Sequence, residues 1–148
     1  MIKKNLSLLS AVLFMGALFF TYTGAEAKGK IKVKRGSVVV DKVKYRIFKG
    51  VKKVEKGQHG GIRYEIQCKS ESEAMKKGAA IAKFYKGKKM NGVKVPKLSK
   101  TAKPETEAWT AFKQGKKKGI GVIVKVSEKK VIVYILPNGD SGVEGMLL

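Results

Sequence analysis

One stretch of the chain, residues 61–87, most narrowly limits the fold because it encodes a β-strand followed directly by an α-helix. Ile62, Tyr64, Ile66 and Cys68 alternate with polar residues. A period of two is typical of a strand with one face in the core and the other in solvent. These residues predict a half-buried strand whose inward side includes the only cysteine of the chain.

A helix start follows this strand. Ser70 and Glu73 have the spacing of a capping box, in which each side chain bonds a free backbone N–H at the helix N-terminus. Small and apolar residues then recur at helical spacing, with lysines on the other side. The pattern predicts a helix that ends near Gly87 and packs on the sheet through Ala74, Met75, Gly78, Ala79, Ile81, Ala82 and Tyr85.

Alternation and β-branched runs predict further strands before and after this unit. Residues 28–34 and 43–47 alternate apolar and basic residues, which makes the outer side of each strand basic. Residues 38–40 are three consecutive valines, also typical of a strand. Residues 120–126 and 131–136 are rich in β-branched residues and flank a short polar connection, so they predict a β-hairpin.

Between the first helix and this hairpin, the pattern predicts a long surface loop and a second helix. Residues 86–103 are rich in lysine, lack acidic residues and contain Pro96. Pro104 suits the first turn of a helix, and an apolar stripe follows at Ala108, Trp109, Ala111 and Phe112. We therefore expect an α+β fold: a mainly antiparallel sheet with two helices packed on one face.

Residues 1–27 have the three parts of a cleavable export signal. Lys3 and Lys4 form a short positive region, an apolar stretch follows, and residues 25–27 match the small-x-small cleavage pattern. The apolar stretch is shorter than the ~20 residues that a membrane-spanning helix needs. We expect export to the periplasm or the extracellular space. The mature chain, residues 28–148, should form one small basic domain without a transmembrane segment.

The charge balance is the strongest indication of function. The chain has 33 Lys and Arg residues against 11 Asp and Glu residues, a formal net charge of +22. A protein this basic is attracted to polyanions such as nucleic acid, acidic glycans, teichoic acid, anionic lipid headgroups and acidic protein surfaces. A lysine-rich surface also arises from base composition or serves solubility, so both interpretations of the charge remain open.

Candidates for catalysis and metal binding are scarce. His59 is the only histidine and Cys68 the only cysteine, which excludes an intrachain disulfide and a His/Cys cluster with ligand spacing. A nucleophile–base pair of these two residues conflicts with the inward parity of Cys68. Asp140 and Glu144, beside the Asn-Gly turn at 138–139, are at most a weak cation site. We predict no catalytic residue, no metal and no cofactor, and a buried, unreactive Cys68.

Outward-facing basic side chains of three predicted strands form the candidate anion-binding surface. If the strands pair, their lysines and arginines share one solvent-exposed face, while Tyr45 and Tyr64 point inward. A basic face without aromatic platforms favours contact with phosphate or carboxylate groups over stacking with bases. The lysines of the 86–103 loop are expected to assist. The candidate residues are Lys32, Lys34, Lys42, Lys44, Arg46, Arg63, Lys88, Lys89, Lys94 and Lys97.

Three function classes remain open. The leading expectation is an exported, non-enzymatic protein that binds an anionic polymer or an acidic protein surface, with no motif that specifies nucleic acid. One alternative is a module that binds a partner protein, such as an inhibitor or adhesin, through the loop at 86–103. Another is a small enzyme that acts on a polyanion. The basic face also has a structural interpretation, since lysines discourage edge-to-edge aggregation of sheets.

The export signal predicts a defined N-terminus for the exported protein. The intact mass of protein recovered from the periplasm or medium of an expressing host should match residues 28–148, because cleavage follows the small-x-small pattern. Exported material that retains Met1 would contradict this assignment.

Overall fold

The structure is a computed structural model that describes residues 30–57, 60–103 and 106–139. Of these residues, 51% lie in strands and 14% in one helix. The elements in chain order are β1 (Ile31–Lys32), β2 (Ser37–Val40), β3 (Val43–Arg46), β4 (Lys53–Lys56), β5 (Ile62–Gln67), α1 (Glu71–Tyr85), β6 (Lys89–Met90), β7 (Val93–Lys94), β8 (Ser99–Lys103), β9 (Thr106–Gln114), β10 (Gly119–Ser127) and β11 (Lys130–Leu136).

Seven strands form one antiparallel sheet in the order β1-β4-β5-β11-β10-β9-β8. Its centre is the hairpin β10–β11, in which Val124 lies opposite Val133. This confirms the hairpin predicted from the β-branched runs. Strand β5 pairs with β11 through Tyr64 and Val133, and β9 pairs with β10 through Trp109 and Val124. The remaining strands form two separate hairpins, β2–β3 and β6–β7.

The expected α+β fold with two helices is wrong, because residues 106–114 form strand β9. In β9, Ala108 and Thr110 are buried on one face of the sheet, while Trp109 and Ala111 lie on the other. A strand with apolar residues on both faces loses its period of two, and its spacing then resembles that of a helix. Pairing between strands makes this segment a strand. Strand β11 hydrogen-bonds to one edge of β10, and the backbone groups of the other edge of β10 need the partner that β9 supplies.

The expected surface loop at 86–103 is also wrong, because this segment contains the hairpin β6–β7 and the edge strand β8. Asn91 and Gly92 form the hairpin turn with φ angles of 53° and 74°. Two positive φ angles are typical of a type I′ turn, which Asn-Gly strongly favours. Buried side chains fix the segment to the core: Met90, Val93, Val95 and Leu98. Pro104 and Glu105, the predicted helix start, lie outside the described residues.

Helix α1 follows the sequence prediction from the end of β5. The Glu73 N–H donates to Ser70 Oγ at 3.1 Å, and the Lys69 N–H donates to the Glu73 carboxylate, also at 3.1 Å. The first bond is the N-cap half of the predicted capping box. The second differs from the box, because the Glu73 carboxylate accepts from Lys69, one residue before the N-cap Ser70. The helix packs on strands β9, β10 and β11. No helix in the described ranges is long and apolar enough to cross a membrane.

Helix α1 and the two small hairpins cover the same face of the large sheet. Their buried side chains share one hydrophobic cluster with the inward residues of the sheet, such as Tyr45 of β3, Ile81 of α1 and Val133 of β11. Cys68 belongs to this cluster and is 7% exposed, which confirms its predicted burial. Burial raises the pKa of the Cys68 thiol, and the nearby Glu73 carboxylate raises it further. The thiol is therefore disfavoured as a nucleophile at neutral pH.

Gly78 sets how closely the helix approaches the sheet. A Cβ atom at this position would lie 2.7 Å from Trp109 Cζ3 and 2.8 Å from Val126 Cγ2. Such distances require the side chains of two strands to shift, and overpacking of this kind costs about 1–3 kcal/mol. The glycine is therefore needed for close packing, although it is a poor helix former.

Gly78→Ala should lower the free energy of unfolding by about 1 kcal/mol, because the overpacking cost exceeds the helix-propensity gain. Urea unfolding followed by circular dichroism measures this change. Ala80→Gly, at an exposed position of the same helix, is the matched control and should also destabilise by about 1 kcal/mol. An increase in stability for Gly78→Ala would contradict the close approach.

Candidate functional site

Basic side chains from three β-hairpins line one cavity of about 280 Å³. Lys42 lies in the turn of β2–β3, and Lys44 and Arg46 lie on the exposed side of β3. Lys89 comes from β6, and Lys118 from the turn between β9 and β10. We call this the basic cavity; its lining residues are Lys42, Val43, Lys44, Arg46, Lys89, Met90, Asn91, Gly92 and Lys118.

Local sequence explains how β3 presents its charges. Tyr45 and Ile47 are 1% and 2% exposed, so the alternation of β3 places Lys44 and Arg46 outward, as predicted. Asp41 and Lys42 have φ angles of 50° and 68°, the positive values that a two-residue hairpin turn requires. The tight turn thereby brings Lys42 to the same cavity as the strand residues.

Hydrogen bonds join the three hairpins around the cavity. The Asn91 side-chain Nδ2 donates to the carbonyl oxygen of Gly119 at 2.8 Å, which fixes the β6–β7 turn to the start of β10. The Arg46 backbone N–H donates to Met90 Sδ at 3.4 Å, which joins β3 to β6. The cavity wall is therefore held by contacts between elements that are distant in sequence.

A chain of buried hydroxyls anchors β3 to the main core. The Tyr85 hydroxyl donates to the Arg46 carbonyl oxygen at 2.7 Å, and the oxygens of Tyr85 and Tyr64 are 2.7 Å apart. Because Tyr85 has only one proton, the Tyr64 hydroxyl must donate to Tyr85. The Phe48 N–H then donates to the Tyr64 oxygen at 3.4 Å. In this series of hydrogen bonds, the Phe48 N–H and the hydroxyls of Tyr64 and Tyr85 each have an acceptor.

Burial keeps these hydroxyls protonated. It raises the pKa of Tyr64 to about 12 and the pKa of Tyr85 well above its ordinary value. Both residues therefore remain neutral donors throughout the physiological pH range. The hydrogen bond from Tyr85 to the Arg46 carbonyl therefore does not depend on pH near neutrality.

None of the described residues that line the basic cavity is acidic. Asp41, which is adjacent to Lys42 in sequence, pairs instead with Lys56 at 3.5 Å. Among the described residues, no carboxylate lies within ion-pair distance of any of the five cationic side chains. Like charges around one cavity repel each other, and an anion in the cavity would relieve that repulsion.

A second cavity of about 420 Å³ adjoins the first and extends the basic surface. Asn91, Gly92 and Lys118 line both cavities. Lys116 and Lys117, from the turn between β9 and β10, line only the second. The two cavities together place seven basic residues along one continuous surface.

The predicted anion-binding residues are distributed over several places. Lys42, Lys44, Arg46 and Lys89 line the basic cavity, and Lys94 lies opposite Lys89 in the β6–β7 hairpin. The other predicted residues lie elsewhere. Lys32 lies on edge strand β1, and Lys34 forms an isolated β-bridge with Ser37. The Nζ of Lys88 lies 4.6 Å from the Phe84 ring centroid, and Lys97 lines a cavity beside Trp109.

Arg63 lies on β5 among acidic groups and away from the basic cavity. Its guanidinium pairs with Glu65 and lies 3.7 Å from a Glu55 carboxylate oxygen. Hydrogen bonding to Arg63 lowers the pKa of the Glu65 carboxyl. The positive charge of Arg63 is therefore engaged within the protein. The predicted single basic face of three strands is replaced by β3 on its own hairpin and β5 in the large sheet.

Sequence reasoning missed Lys118 and Asn91 as site residues. The helix predicted after Pro104 gave no reason to place Lys118 beside β3 and β6, whereas the strand β9 that forms instead leads into the turn that carries Lys118. Asn91 and Gly92 carried the available signal, because Asn-Gly between short alternating segments is a strong hairpin pattern. The turn would have placed Lys89 and Lys94 side by side.

Other chemistry is little supported by the described residues. No group of three or more His, Cys, Asp or Glu side chains in the described ranges is arranged to hold a metal ion. His59, Asp140 and Glu144 lie outside the described residues. Comparison of the chain with protein-family models, with curated proteins and with solved structures gave no match in any of the three.

Tyr85→Phe should lower the free energy of unfolding by about 2 kcal/mol, because it leaves the Arg46 carbonyl and the Tyr64 hydroxyl without their partner. Urea unfolding measures the loss. Tyr134→Phe, on the opposite sheet face, is the matched control; it removes a hydrogen bond to the partly exposed Arg63 guanidinium and should cost about 0.5–1 kcal/mol. Equal losses in the two variants would contradict the hydroxyl chain.

Proposed function

We propose that this protein is an exported, non-enzymatic binding protein whose basic cavity holds an anionic group of a polymer or of an acidic protein surface. The observation that carries the proposal is the convergence of five cationic side chains on one cavity, with no carboxylate among the described residues that line it. The cations come from three hairpins that hydrogen bonds hold together. A partner with clustered negative charge is the complement of such a surface.

The chemistry of the lining favours phosphate, sulfate or carboxylate groups. Arg46 offers a planar guanidinium with several donors, which suits bidentate contact with an oxyanion. Lys42, Lys44, Lys89 and Lys118 add point charges, and Asn91 is fixed by its bond to Gly119. Contacts of this kind depend on the charge and spacing of the anionic groups, and they do not require hydrogen bonds to nucleic-acid bases.

The adjoining cavity favours a linear polyanion over a single small anion. Lys116, Lys117 and Lys118 continue the basic surface beyond the Asn91-Gly92 turn. A polymer with repeated charges would contact both cavities at once, whereas an isolated anion would occupy one. Each added contact releases further counterions from the polymer, which strengthens binding at low salt.

Neutralising the basic cavity should weaken polyanion binding far more than neutralising an equal charge elsewhere. The test variant is Lys44→Gln, Arg46→Gln, Lys118→Gln, and the matched control is Lys32→Gln, Lys34→Gln, Lys53→Gln, whose lysines are all exposed outside the cavity. Both variants remove three charges, so their non-specific attraction falls equally. The measurement is the affinity for a short DNA duplex and for heparin at several salt concentrations.

For about seven phosphate contacts along the two cavities, the affinity of the unmodified protein for DNA should fall roughly several-thousandfold between about 50 and about 200 mM salt. The slope of log affinity against log salt concentration should be smaller in magnitude by about 2.7 for the cavity variant, because three contacts are lost. The slope should be nearly unchanged for the control. Equal loss of affinity in both variants would contradict the cavity as the site. Binding of acidic proteins but of neither polymer would favour the partner-protein alternative.

A further inference from the structure

A third cavity, of about 230 Å³, lies beside the only tryptophan of the chain. Trp109 of β9 and Leu98 form part of its lining, together with Ala79 and Ala82 of α1. We call this the Trp109 cavity. It shares no lining residue with the basic cavity, so its chemistry is a separate question.

The position of Trp109 follows from the packing of α1. The indole is only partly buried and packs against the core. Gly78 contacts the six-membered ring, because its missing side chain allows the helix close to Cζ3. Another part of the indole lines the Trp109 cavity. The ring is therefore held firmly on one side and accessible on another.

Cations surround this aromatic surface. Lys83, Lys86 and Lys97 line the cavity, and none of the described lining residues is acidic. Lys100 Nζ lies 5.7 Å from the centroid of the indole ring and pairs with Glu107 at 2.9 Å. A cation at this distance is attracted to the face of the ring and helps to fix it. The basic face predicted from the sequence lacked an aromatic platform, whereas these lysines lie beside one.

The residues that line the Trp109 cavity favour a ligand with a flat apolar surface and a negative charge. Its apolar part consists of the indole and three short aliphatic side chains, which accept a flat apolar group. Its polar side chains are lysines, which donate hydrogen bonds but cannot accept them. A ligand that consists only of sugar would place its hydroxyls beside lysines and would offer no flat apolar ring to the indole. An aromatic ring with an attached anionic group matches both parts.

We propose that the Trp109 cavity binds a small aromatic anion, such as a nucleotide, whose ring stacks on Trp109 and whose negative group pairs with Lys83, Lys86 and Lys97. Stacking on an aromatic side chain contributes roughly tenfold to a hundredfold in affinity per ring. The lysines contribute charge attraction that salt screens. This proposal does not rest on the function proposed for the basic cavity.

The fluorescence of Trp109 reports directly on this cavity, since the chain has no other tryptophan. The probes are adenosine monophosphate, adenosine, inorganic phosphate and glucuronate, with excitation where none of them absorbs. Adenosine monophosphate should quench or shift the emission saturably. The other three should require at least about tenfold higher concentrations, because each lacks the ring or the anionic group.

Lysine variants distinguish the cavity from general attraction to a basic protein. Lys83→Gln with Lys97→Gln should weaken the adenosine monophosphate response about fivefold while leaving the unliganded emission spectrum unchanged. Lys76→Gln with Lys129→Gln, at exposed positions outside the cavity, should leave the response unchanged.

Three outcomes would overturn the proposal. The first is no saturable response to adenosine monophosphate. The second is an equal loss of that response in both lysine pairs. The third is a response to glucuronate at the same concentration, which would show that the aromatic ring is not recognised.

Discussion

Backbone pairing along both edges of β10 determines the rest of the structure. This strand is buried over almost its whole length, and its N–H and C=O groups have no access to water. Strand β11 satisfies one edge through a two-residue turn, and the other edge requires a second partner. Strand β9 supplies it, and the turn from β9 to β10 then carries Lys118 to the β6–β7 hairpin. The basic cavity forms because the turn between β9 and β10 lies beside the hairpins β2–β3 and β6–β7.

Packing on one face of the sheet fixes the remaining walls of both proposed sites. The hydroxyl chain from Tyr64 through Tyr85 to Arg46 connects β5, α1 and β3, so the basic strand cannot move independently of the core. Gly78 brings the same helix against Trp109. One helix therefore positions the charged cavity through a buried hydrogen bond and the aromatic cavity through a close contact. Mutual repulsion among the five cations of the basic cavity is the cost that an anionic ligand would offset.

The sequence predicted those elements that are determined by interactions between residues close together in the chain. The N-cap at Ser70, the alternation around Tyr45 and the β10–β11 hairpin each depend on neighbouring residues. The strand β9 was mistaken for a helix because both of its faces are covered, and burial on two faces removes the alternation that marks a strand. The sequence also predicted that Lys44 and Arg46 face solvent. It did not predict their meeting with Lys118, which depends on pairing between distant segments.

The most direct measurement of the central claim is a titration of the ¹⁵N-labelled protein with inorganic pyrophosphate, followed by backbone amide shifts. If the three hairpins form one anion site, the largest shifts belong together to amides near Lys44, Asn91 and Lys118, and one dissociation constant fits all of them. Shifts centred on Lys32 and Arg63 would instead support the single basic sheet face, and shifts spread evenly over exposed lysines would contradict a defined site.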